Sequence, residues 1–533
     1  MKGQIEAHFD NNAPNRMRYF HRNHIYHEHI LQVCRAFLKP GMRVLDLGCS
    51  TGDLLASLLP EGGVGVDISR RSVEIARSHH PKHTFIVADA ESLPTTPPFD
   101  SPFDMIIMSD IVAYLDDVQT VLSALRRLTH PDTYIVISLW NWIWRPLLQV
   151  GEMLHLKAPD LRARQNWLST KALTNLLDLT DYAVVEVTPG LLMPFDVPIA
   201  TPAVNALTST PLLDPLALLH TIVARPLPVA NIPRHPTVTV VIPTRNEAGN
   251  VEALVDRVPE MGAHTELLFI DGNSTDGTVE RIHEMISAHP ERDIRFMPQV
   301  APAEDDSPPD LMLKLGKGDA VRKAFAAANG EVLMILDSDI SVLPEELPKF
   351  YCALATGKAR FINGTRFNYP QQDRAMRPLN MLGNVGFSML FSWLLGQRIT
   401  DTLCGTKVMY KRDYEQIAAN RSRFGDFDPF GDFDLLFGAA WLGLPVIEVP
   451  VHYQARTYGE SKVRVSLHGP LLARMSLVAL WHFKIRPLIE GRKPRAKSPA
   501  RAAAKVAPRL SRRVMVAVLL FAVWLLVARG RKS

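Results

Sequence analysis

The chain has 533 residues, 47% apolar and 21% charged; that length calls for two to four domains, and the composition excludes a mainly disordered, collagen-like or disulfide-stapled chain. Formal net charge is +4, yet residues 491–533 hold twelve Lys/Arg and no Asp/Glu, leaving 47 bases against 55 acids before them. A mildly acidic body with a basic tail argues against a nucleic-acid partner, which needs positive charge across a folded face.

The N-terminal stretch MKGQIEAHFDNNAPNR shows no apolar signal-peptide run. His21, His24, His27 and His29 do not share one helical face and read as a partly exposed helix over a pocket rather than as metal ligands. Cys34, Cys49, Cys352 and Cys404 lack CxxC spacing, so neither a disulfide framework nor a zinc site is expected, and a reducing cytoplasm fits. From Arg43-Val-Leu-Asp-Leu-Gly onward, apolar strands near 63–66, 84–87, 105–108 and 134–139 alternate with helical patterns at 69–78 and 117–128, which implies a mostly parallel, doubly wound sheet. Val44-Leu-Asp-Leu-Gly-Cys-Ser-Thr-Gly-Asp is a strand feeding a tight turn that opens a helix. Gly48 and Gly52 there let backbone approach a ligand, and the helix start offers free N–H groups. The same letters spell G-x-S-x-G around Ser50, the nucleophile-elbow pattern of hydrolases. Too little chain precedes Ser50 for that fold, and no HGGG-type segment stands upstream. Asp67 ends the next strand, where an acid accepts from ribose hydroxyls, and Asp89-Ala90 closes a third, placed to meet an adenine. The cofactor reading prevails.

These residues resemble the class I S-adenosylmethionine-dependent methyltransferases over about residues 15–200. VLDLGCSTG matches their glycine motif, GVDIS their acidic strand end, VADAESLP their adenine motif and FDMIIMSDIVAYLDD their fourth motif. The resemblance implies S-adenosyl-L-methionine as cofactor, with Asp46 near its methionine part, Asp67 on the ribose, and Asp89 with Ala90 by the adenine. Ser50 stands where a third glycine is common. Methyl transfer is an in-line attack on a sulfonium, so catalysis is mostly positioning and the acceptor is hard to read. Asp110, Tyr114 and Trp140-Asn-Trp142 either line the expected mouth or form an exposed rim. A Rossmann unit that binds without reacting is the alternative.

Residues 189–236 contain ten prolines, a density that breaks regular structure and makes a stiff spacer. The first domain is therefore expected at 1–188 and a linker at 189–235. A second α/β unit opens at Val238-Thr-Val-Val-Ile-Pro, with further strands at 267–270 and 332–336. Its strand ends carry polar groups: Val240-Val-Ile-Pro-Thr-Arg-Asn-Glu, then Phe269-Ile-Asp-Gly-Asn-Ser-Thr-Asp-Gly-Thr. The acidic, proline-rich loop at 301–309 is expected to be mobile. Leu315-Gly-Lys-Gly-Asp-Ala-Val-Arg precedes a helix, and Val332-Leu-Met-Ile-Leu-Asp-Ser-Asp ends a strand in two carboxylates. Asp337 and Asp339, at i and i+2, suit Mg²⁺ or Mn²⁺ with a diphosphate completing the shell. Such an ion neutralises charge building on the leaving nucleoside diphosphate.

The set resembles the inverting family 2 glycosyltransferases, most closely the dolichol-phosphate mannose synthase-like branch, from about residue 236 to 465. PTRNE, IDGNSTDG, GKGDAVR, LDSDISVLPEE, NGTRF, DTLCGTK, GDFDLLFGAAWLG and YGESKV appear in family order. The resemblance implies a GT-A fold in which Pro243, Glu247 and Asp271, with Gly318 of the GKG segment, hold a nucleoside-diphosphate sugar, and Asp337 and Asp339 hold the metal. Asp432 and Asp434 occupy the carboxylate segment near the acceptor. Acceptor-phosphate contacts fall on Arg366, Arg374, Arg456 and Lys462. Gly272 replaces a frequent Asp, which blurs base preference. A phosphate acceptor is already ionised, so those acids need only position groups.

Residues 378–397 carry no charge, and Asn380, Asn384, Ser388 and Ser392 make one polar stripe. That suits a helix at a bilayer rim, or a core helix of the transferase. Residues 471–488 form a second apolar stretch. The basic stretch 491–513 is expected to be unstructured, and 514–528 is uninterrupted apolar sequence between arginines. A helix of that length rises only ~22 Å against a ~30 Å hydrocarbon core, but flanking arginines extend its reach. The expectation is an α/β fusion enzyme. A Rossmann-like methyltransferase domain precedes a GT-A domain at 236–490 that charges a polyprenyl phosphate or other membrane lipid, and a single C-terminal helix at 514–528 holds it to the inner membrane with both catalytic domains cytoplasmic. The alternative is a glycosyltransferase for a soluble or polysaccharide acceptor whose methyltransferase-like half only binds cofactor.

Overall fold

The computed structural model describes residues 2–159, 161, 165–166, 168–210, 213–228, 235–300, 316–370, 378–424, 431–454 and 474–489. Apolar runs too short for stable helices, VLDL and VGVD in the first half and VTVVIPT and TELLFID in the second, become almost wholly buried strands. Parallel strands covered on both faces require such continuous hydrophobic runs. The chain folds as two units that divide near residue 230.

The first unit holds β1 (Val44–Leu47), β2 (Val64–Asp67), β3 (Thr84–Val87), β4 (Phe103–Ser109), β5 (Thr129–Trp140), β6 (Tyr182–Gly190) and β7 (Leu219–Pro226), in sheet order β3-β2-β1-β4-β5-β7-β6. The first five are parallel, and β7 runs antiparallel to both of its neighbours. Register sets Asp46 opposite Gly65 and Ile107, so the C-terminal ends of β1, β2 and β4 lie level. The chain order reverses between β1 and β4, which is where such sheets open a ligand crevice. Helices α1 (Lys2–Arg22), α2 (His24–Phe37), α3 (Asp53–Leu58) and α4 (Arg70–His79) follow in the N-terminal part. Ile30, Leu31 and Cys34 of α2 pack with Leu54 and Leu55 of α3 on one sheet face, while Val121, Leu125, Leu173 and Leu176 cover the other. The break at Asn23 divides the four histidines between α1 and α2, and His27 stacks on Phe20 with ring centroids 4.2 Å apart.

The stretch expected as a spacer over 189–235 instead completes this sheet. Its prolines cluster on either side of a proline-free run between Pro215 and Pro226, and that run becomes β7, inserted between β5 and β6. Pro189 sits in edge strand β6, where a missing N–H is tolerated. The first unit thus extends about forty residues beyond its expected boundary.

The second unit holds β8 (Val238–Thr244), β9 (Thr265–Asp271), β10 (Asp293–Pro298), β11 (Val332–Ile335), β12 (Phe361–Thr365), β13 (Lys407–Tyr410) and β14 (Val446–Pro450), in order β10-β9-β8-β11-β13-β12-β14. β10, β9, β8 and β11 are parallel; β13 is antiparallel to β11 and β12. Both sheets are therefore mixed. The uncharged stretch near 378–397 forms the helix Pro378–Leu395. One face of it turns inward: Phe391 and Leu394 are buried with Phe433 and Phe437 while Met389 is exposed, and the Ser392 hydroxyl accepts from Ile399 N at 2.9 Å and donates to Ile399 O at 2.8 Å. Ser392 thus caps a neighbouring loop inside the unit, the core-helix alternative of the two expected there, while the side chains of Asn380 and Asn384 lie outside the described residues.

Among the described residues no helix is long and apolar enough to cross a membrane. That overturns the expected single membrane helix and the inner-membrane location drawn from it. The apolar stretch 474–489 buries Met475 and Ala479 in the core and leaves Leu477, Trp481 and Ile489 exposed. Residues 301–309, 491–513 and 514–528 lie outside the described residues.

Candidate active sites

At the first crevice the chain leaves β1 through three residues of positive φ, Gly48 (+77°), Ser50 (+50°) and Gly52 (+80°). A Cβ on Gly52 would stand 2.6 Å from the Phe85 ring, so only glycine fits. Ser50 adopts a conformation that penalises side chains, and two contacts hold it there. Its N–H donates to Asp67 Oδ2 at 2.8 Å, and its hydroxyl accepts from Arg16 Nε at 3.1 Å. Asp67 also accepts from Ser69 N at 2.8 Å. Burial pushes the Asp67 carboxyl above its ordinary range despite these donors.

Asp46 lies behind this turn, 1% exposed, and neither of its carboxylate oxygens has a hydrogen-bond partner. Burial first, and the Asp67 charge second, push its pKa up to about 7. A buried orphan carboxylate is expensive unless a cation or donor completes it. Asp89, at the end of the third strand, accepts from Glu91 N at 3.0 Å. Helix α1 covers the crevice: Lys2 pairs with Asp89 and Glu91, and Asp10 accepts from Ser69 Oγ at 2.6 Å, the residue that caps α4. Together these elements bound a cleft lined by Gly48, Asp67, Asp89 and Ala90, with Asp110 and Tyr114 at its side.

In the second unit, strand ends again converge, with Thr244 opposite Asp271 and Val241 opposite Ile335. Asp271, buried, accepts from Ser274 N at 2.8 Å and from Ser274 Oγ at 2.5 Å. Glu247, also buried, accepts from Asn250 Nδ2 at 2.8 Å, and its N–H donates to Thr278 Oγ1 at 2.9 Å. Ser338 Oγ donates to Pro243 O at 2.8 Å, which ties the aspartate loop to the end of β8. Asp337 is partly exposed and pairs with Lys317 Nζ at 2.5 Å. A Cβ on Gly405 would overlap the Asp337 carboxylate and the Lys317 ammonium. Asp339 is 7% exposed and accepts from Ser341 N at 3.0 Å. Among the described residues no group of three or more His, Cys, Asp or Glu side chains is arranged to hold a metal.

A family profile described as "Methyltransferase domain" matches residues 38–174, and one described as "Glycosyl transferase family 2" matches 239–300 and 313–417. The chain joins a methyltransferase domain to a family 2 glycosyltransferase domain. A dolichol-phosphate mannosyltransferase of Pyrococcus furiosus is 25% identical over 48% of the chain and 66% of its own length. The Saccharomyces cerevisiae protein of that name is 31% identical over 24% of the chain and 44% of its own, so the chain spans two thirds or less of these curated relatives. An undecaprenyl-phosphate mannosyltransferase of Micrococcus luteus is 27% identical over 46% of the chain and 96% of its own. Among solved structures, a possible histamine N-methyltransferase of Thermotoga maritima is 19% identical, covering 42% of this chain and 99% of its own with a TM-score of 0.32. Glucosyl-3-phosphoglycerate synthase of Mycobacterium tuberculosis, complexed with Mn²⁺ and uridine diphosphate, is 20% identical, covering 46% and 80% with a TM-score of 0.34.

Within the methyltransferase domain the expected residues Gly48, Asp67, Asp89 and Ala90 line one crevice, while Asp46 is buried behind it and Gly52 packs against Phe85. Sequence reasoning missed Lys2 and Arg16, which no motif marks. In the glycosyltransferase domain Pro243, Glu247, Asp271 and Asp337 come to neighbouring strand ends. Gly318 opens the helix Lys317–Ala327, and a Cβ on Gly431 would meet its Cα at 2.6 Å. Lys317 and Gly405 were also missed, although GKGDAVR and DTLCGTK contain them.

Arg366 does not stand as an open cation. Its Nε and Nη2 donate to Asp401 at 2.6 and 2.8 Å, and its guanidinium lies 5.0 Å over the Tyr453 ring. Asp434 is likewise buried and accepts from Arg421 Nε at 2.5 Å. The side chain of Asp432, and Arg374, Arg456 and Lys462, lie outside the described residues.

Proposed function

We propose that the glycosyltransferase domain transfers a sugar from a nucleoside diphosphate to a polyprenyl phosphate with inversion, and that the methyltransferase domain carries S-adenosyl-L-methionine and methylates a small acceptor. The observation that carries the first part is Asp337, set at the end of β11 with Lys317 beside it and no room for a side chain at residue 405. Three polar strand ends around it suit a nucleotide sugar, with Pro243, Glu247 and Asp271 on the nucleoside side. The lipid-phosphate acceptor is supported by relatives whose names specify dolichol and undecaprenyl phosphate.

A divalent ion, Mg²⁺ or Mn²⁺, fits as a partner of Asp337, where Lys317 already supplies a cation in the same place. The ion would neutralise negative charge on the departing diphosphate. Asp337 and Asp339 would hold it, Asp339 also bracing the loop through Ser341, and Lys317, displaced from Asp337, would turn its ammonium to a diphosphate oxygen. An ionised phosphate acceptor needs no strong base, so Asp432 and Asp434 serve position rather than proton transfer. Arg366, fixed by Asp401, with Arg374, Arg456 and Lys462, completes the proposed acceptor-phosphate set.

In the methyltransferase domain the orphaned Asp46 carboxylate, the turn at Gly48–Gly52 and the acids Asp67 and Asp89 fit S-adenosyl-L-methionine. The cofactor supplies an electrophilic methyl group on sulfur. Asp46 would balance its amino group, Asp67 would accept from ribose hydroxyls, and Asp89 would face the adenine.

The deciding experiment incubates the full chain with a panel of labelled nucleotide sugars and polyprenyl phosphate and analyses butanol-extractable product by mass. A labelled glycosyl lipid phosphate formed only with divalent metal supports the reading. Label confined to water-soluble product favours a soluble acceptor. Full turnover by Asp337→Ala without metal rejects the metal assignment.

A further inference from the structure

Helix α1 lies over the cofactor cleft of the first unit, and its Lys2, Ile5, Phe9 and Arg16 line that cleft. Apolar packing holds it weakly, since of its 21 residues only Ile5 and Ala13 are buried. What seats it is polar. Lys2 pairs with Asp89 and Glu91, and Asp10 accepts from Ser69 Oγ at 2.6 Å and from Arg71 N at 3.1 Å. Arg16 Nε donates to Ser50 Oγ at 3.1 Å. These contacts fall just past the ends of β1, β2 and β3, where the cofactor motifs lie. Partly exposed contacts of this kind each contribute little. The helix breaks at Asn23, ahead of α2, whose Ile30, Leu31, Val33 and Cys34 are buried. α1 can therefore lift at that point while α2 stays in the core.

The charges at the turn between β1 and α3 complement a zwitterion. Asp46 is a buried anion with neither oxygen partnered. Arg16 is a cation anchored through Nε, and among the described residues its other N–H donors meet no acceptor. A guanidinium fixed in this way is suited to grip a carboxylate with two parallel N–H groups. The methionine part of S-adenosylmethionine brings an ammonium and a carboxylate on one carbon. At the other end of the cleft Lys2 occupies Asp89, the carboxylate assigned above to the adenine. Bound adenine and Lys2 compete for it, so the first turn of α1 has to shift as the cofactor enters.

We infer that α1 is a lid, and that Arg16 on it receives the carboxylate of the cofactor's methionine part, so that the ligand's own charge draws the lid shut. The inference rests on the cofactor reading of this cleft. A ligand that binds better with α1 seated must favour the seated state by the same factor. Removing either partner, the carboxylate or the guanidinium, should then cost both affinity and protection of α1.

The test sets S-adenosylhomocysteine against its decarboxylated analogue, S-(5′-adenosyl)-3-thiopropylamine, on the full chain. Calorimetry should find S-adenosylhomocysteine bound at least tenfold more tightly. In Arg16→Met that gap should close to within threefold, through loss of S-adenosylhomocysteine affinity alone. Arg18→Met, at an exposed position on the same helix, should keep the gap. Amide exchange over Lys2–Arg22, read by mass spectrometry, should slow at least tenfold with S-adenosylhomocysteine and less than threefold with the analogue. Exchange over His24–Phe37 should change less than threefold with either. Equal wild-type affinity for the two ligands, a gap that survives Arg16→Met, equal weakening of both ligands in that variant, or α1 exchange indifferent to S-adenosylhomocysteine overturns the inference. A wild-type chain that binds neither ligand overturns the cofactor reading itself, and this inference with it. Should Arg16→Met fail to fold, Arg16→Lys keeps the charge without the two-pronged grip and should narrow the gap at least threefold; an unchanged gap there counts against the inference.

Discussion

Asp46 places a negative charge where the fold offers it no partner. Its pKa of about 7 lies above that of an unfolded aspartate, so the folded state binds the proton more tightly. Stability should therefore fall as pH rises from about 4 to 7, by an amount bounded on the order of 4 kcal/mol. Asp46→Asn should raise the melting temperature at pH 8 while leaving it nearly unchanged at pH 4, as calorimetry would read. The same variant should weaken S-adenosylmethionine binding at least tenfold at pH 8, since the cation's partner is gone. Gly405 is the corresponding point in the second domain. Gly405→Ala should cut sugar transfer and Mn²⁺ affinity tenfold or more by displacing the Asp337 carboxylate, with little change in melting temperature because that side chain is partly exposed. Both residues sit in motifs readable from sequence, but their strain and missing partners are not. Those depend on what other strands bring alongside.

At the scale of elements, the parallel strands were legible because burial on two faces leaves uninterrupted apolar runs. Helix Pro378–Leu395 was ambiguous for the same reason: an apolar helix reads alike whether lipid or protein covers it. Phe391 decides it, packed on Phe433 and Phe437 with centroids 5.0 and 5.7 Å away. Phe391→Ala should destabilise the glycosyltransferase domain by about 3–5 kcal/mol, measured by chemical unfolding, as a buried aromatic truncation does. A loss under 1 kcal/mol would return this helix to the surface. Strand β7 was hidden by flanking prolines and by the fact that it pairs with β5, 79 to 89 residues earlier in the chain. The helix over a pocket was read at His21–His29, but only His21 lies on α1, and the Lys2 and Arg16 contacts by which α1 covers the crevice were not legible, since long side chains find partners only once the crevice exists.

For the whole molecule, two units with their own sheets imply two sites that can be disabled separately. Asp337→Ala should abolish metal-dependent sugar transfer and leave S-adenosylhomocysteine affinity within twofold; Asp67→Asn should do the reverse. Calorimetry and product mass analysis on both variants check this, and joint loss in either would refute independent sites. Sequence by itself determined the two domain types, their order, and the identity of the strand-end acids. Local spacing suffices there because a strand followed by a turn delivers its last residues to one edge of a sheet. Tertiary structure alone decided the extent of the first domain, the pairing of Arg366 with Asp401 and of Asp434 with Arg421, and the inward face of the uncharged helix. Those outcomes turn on burial and charge contacts between residues distant in the chain, and a charge reads the same in sequence whether it meets a ligand or a partner.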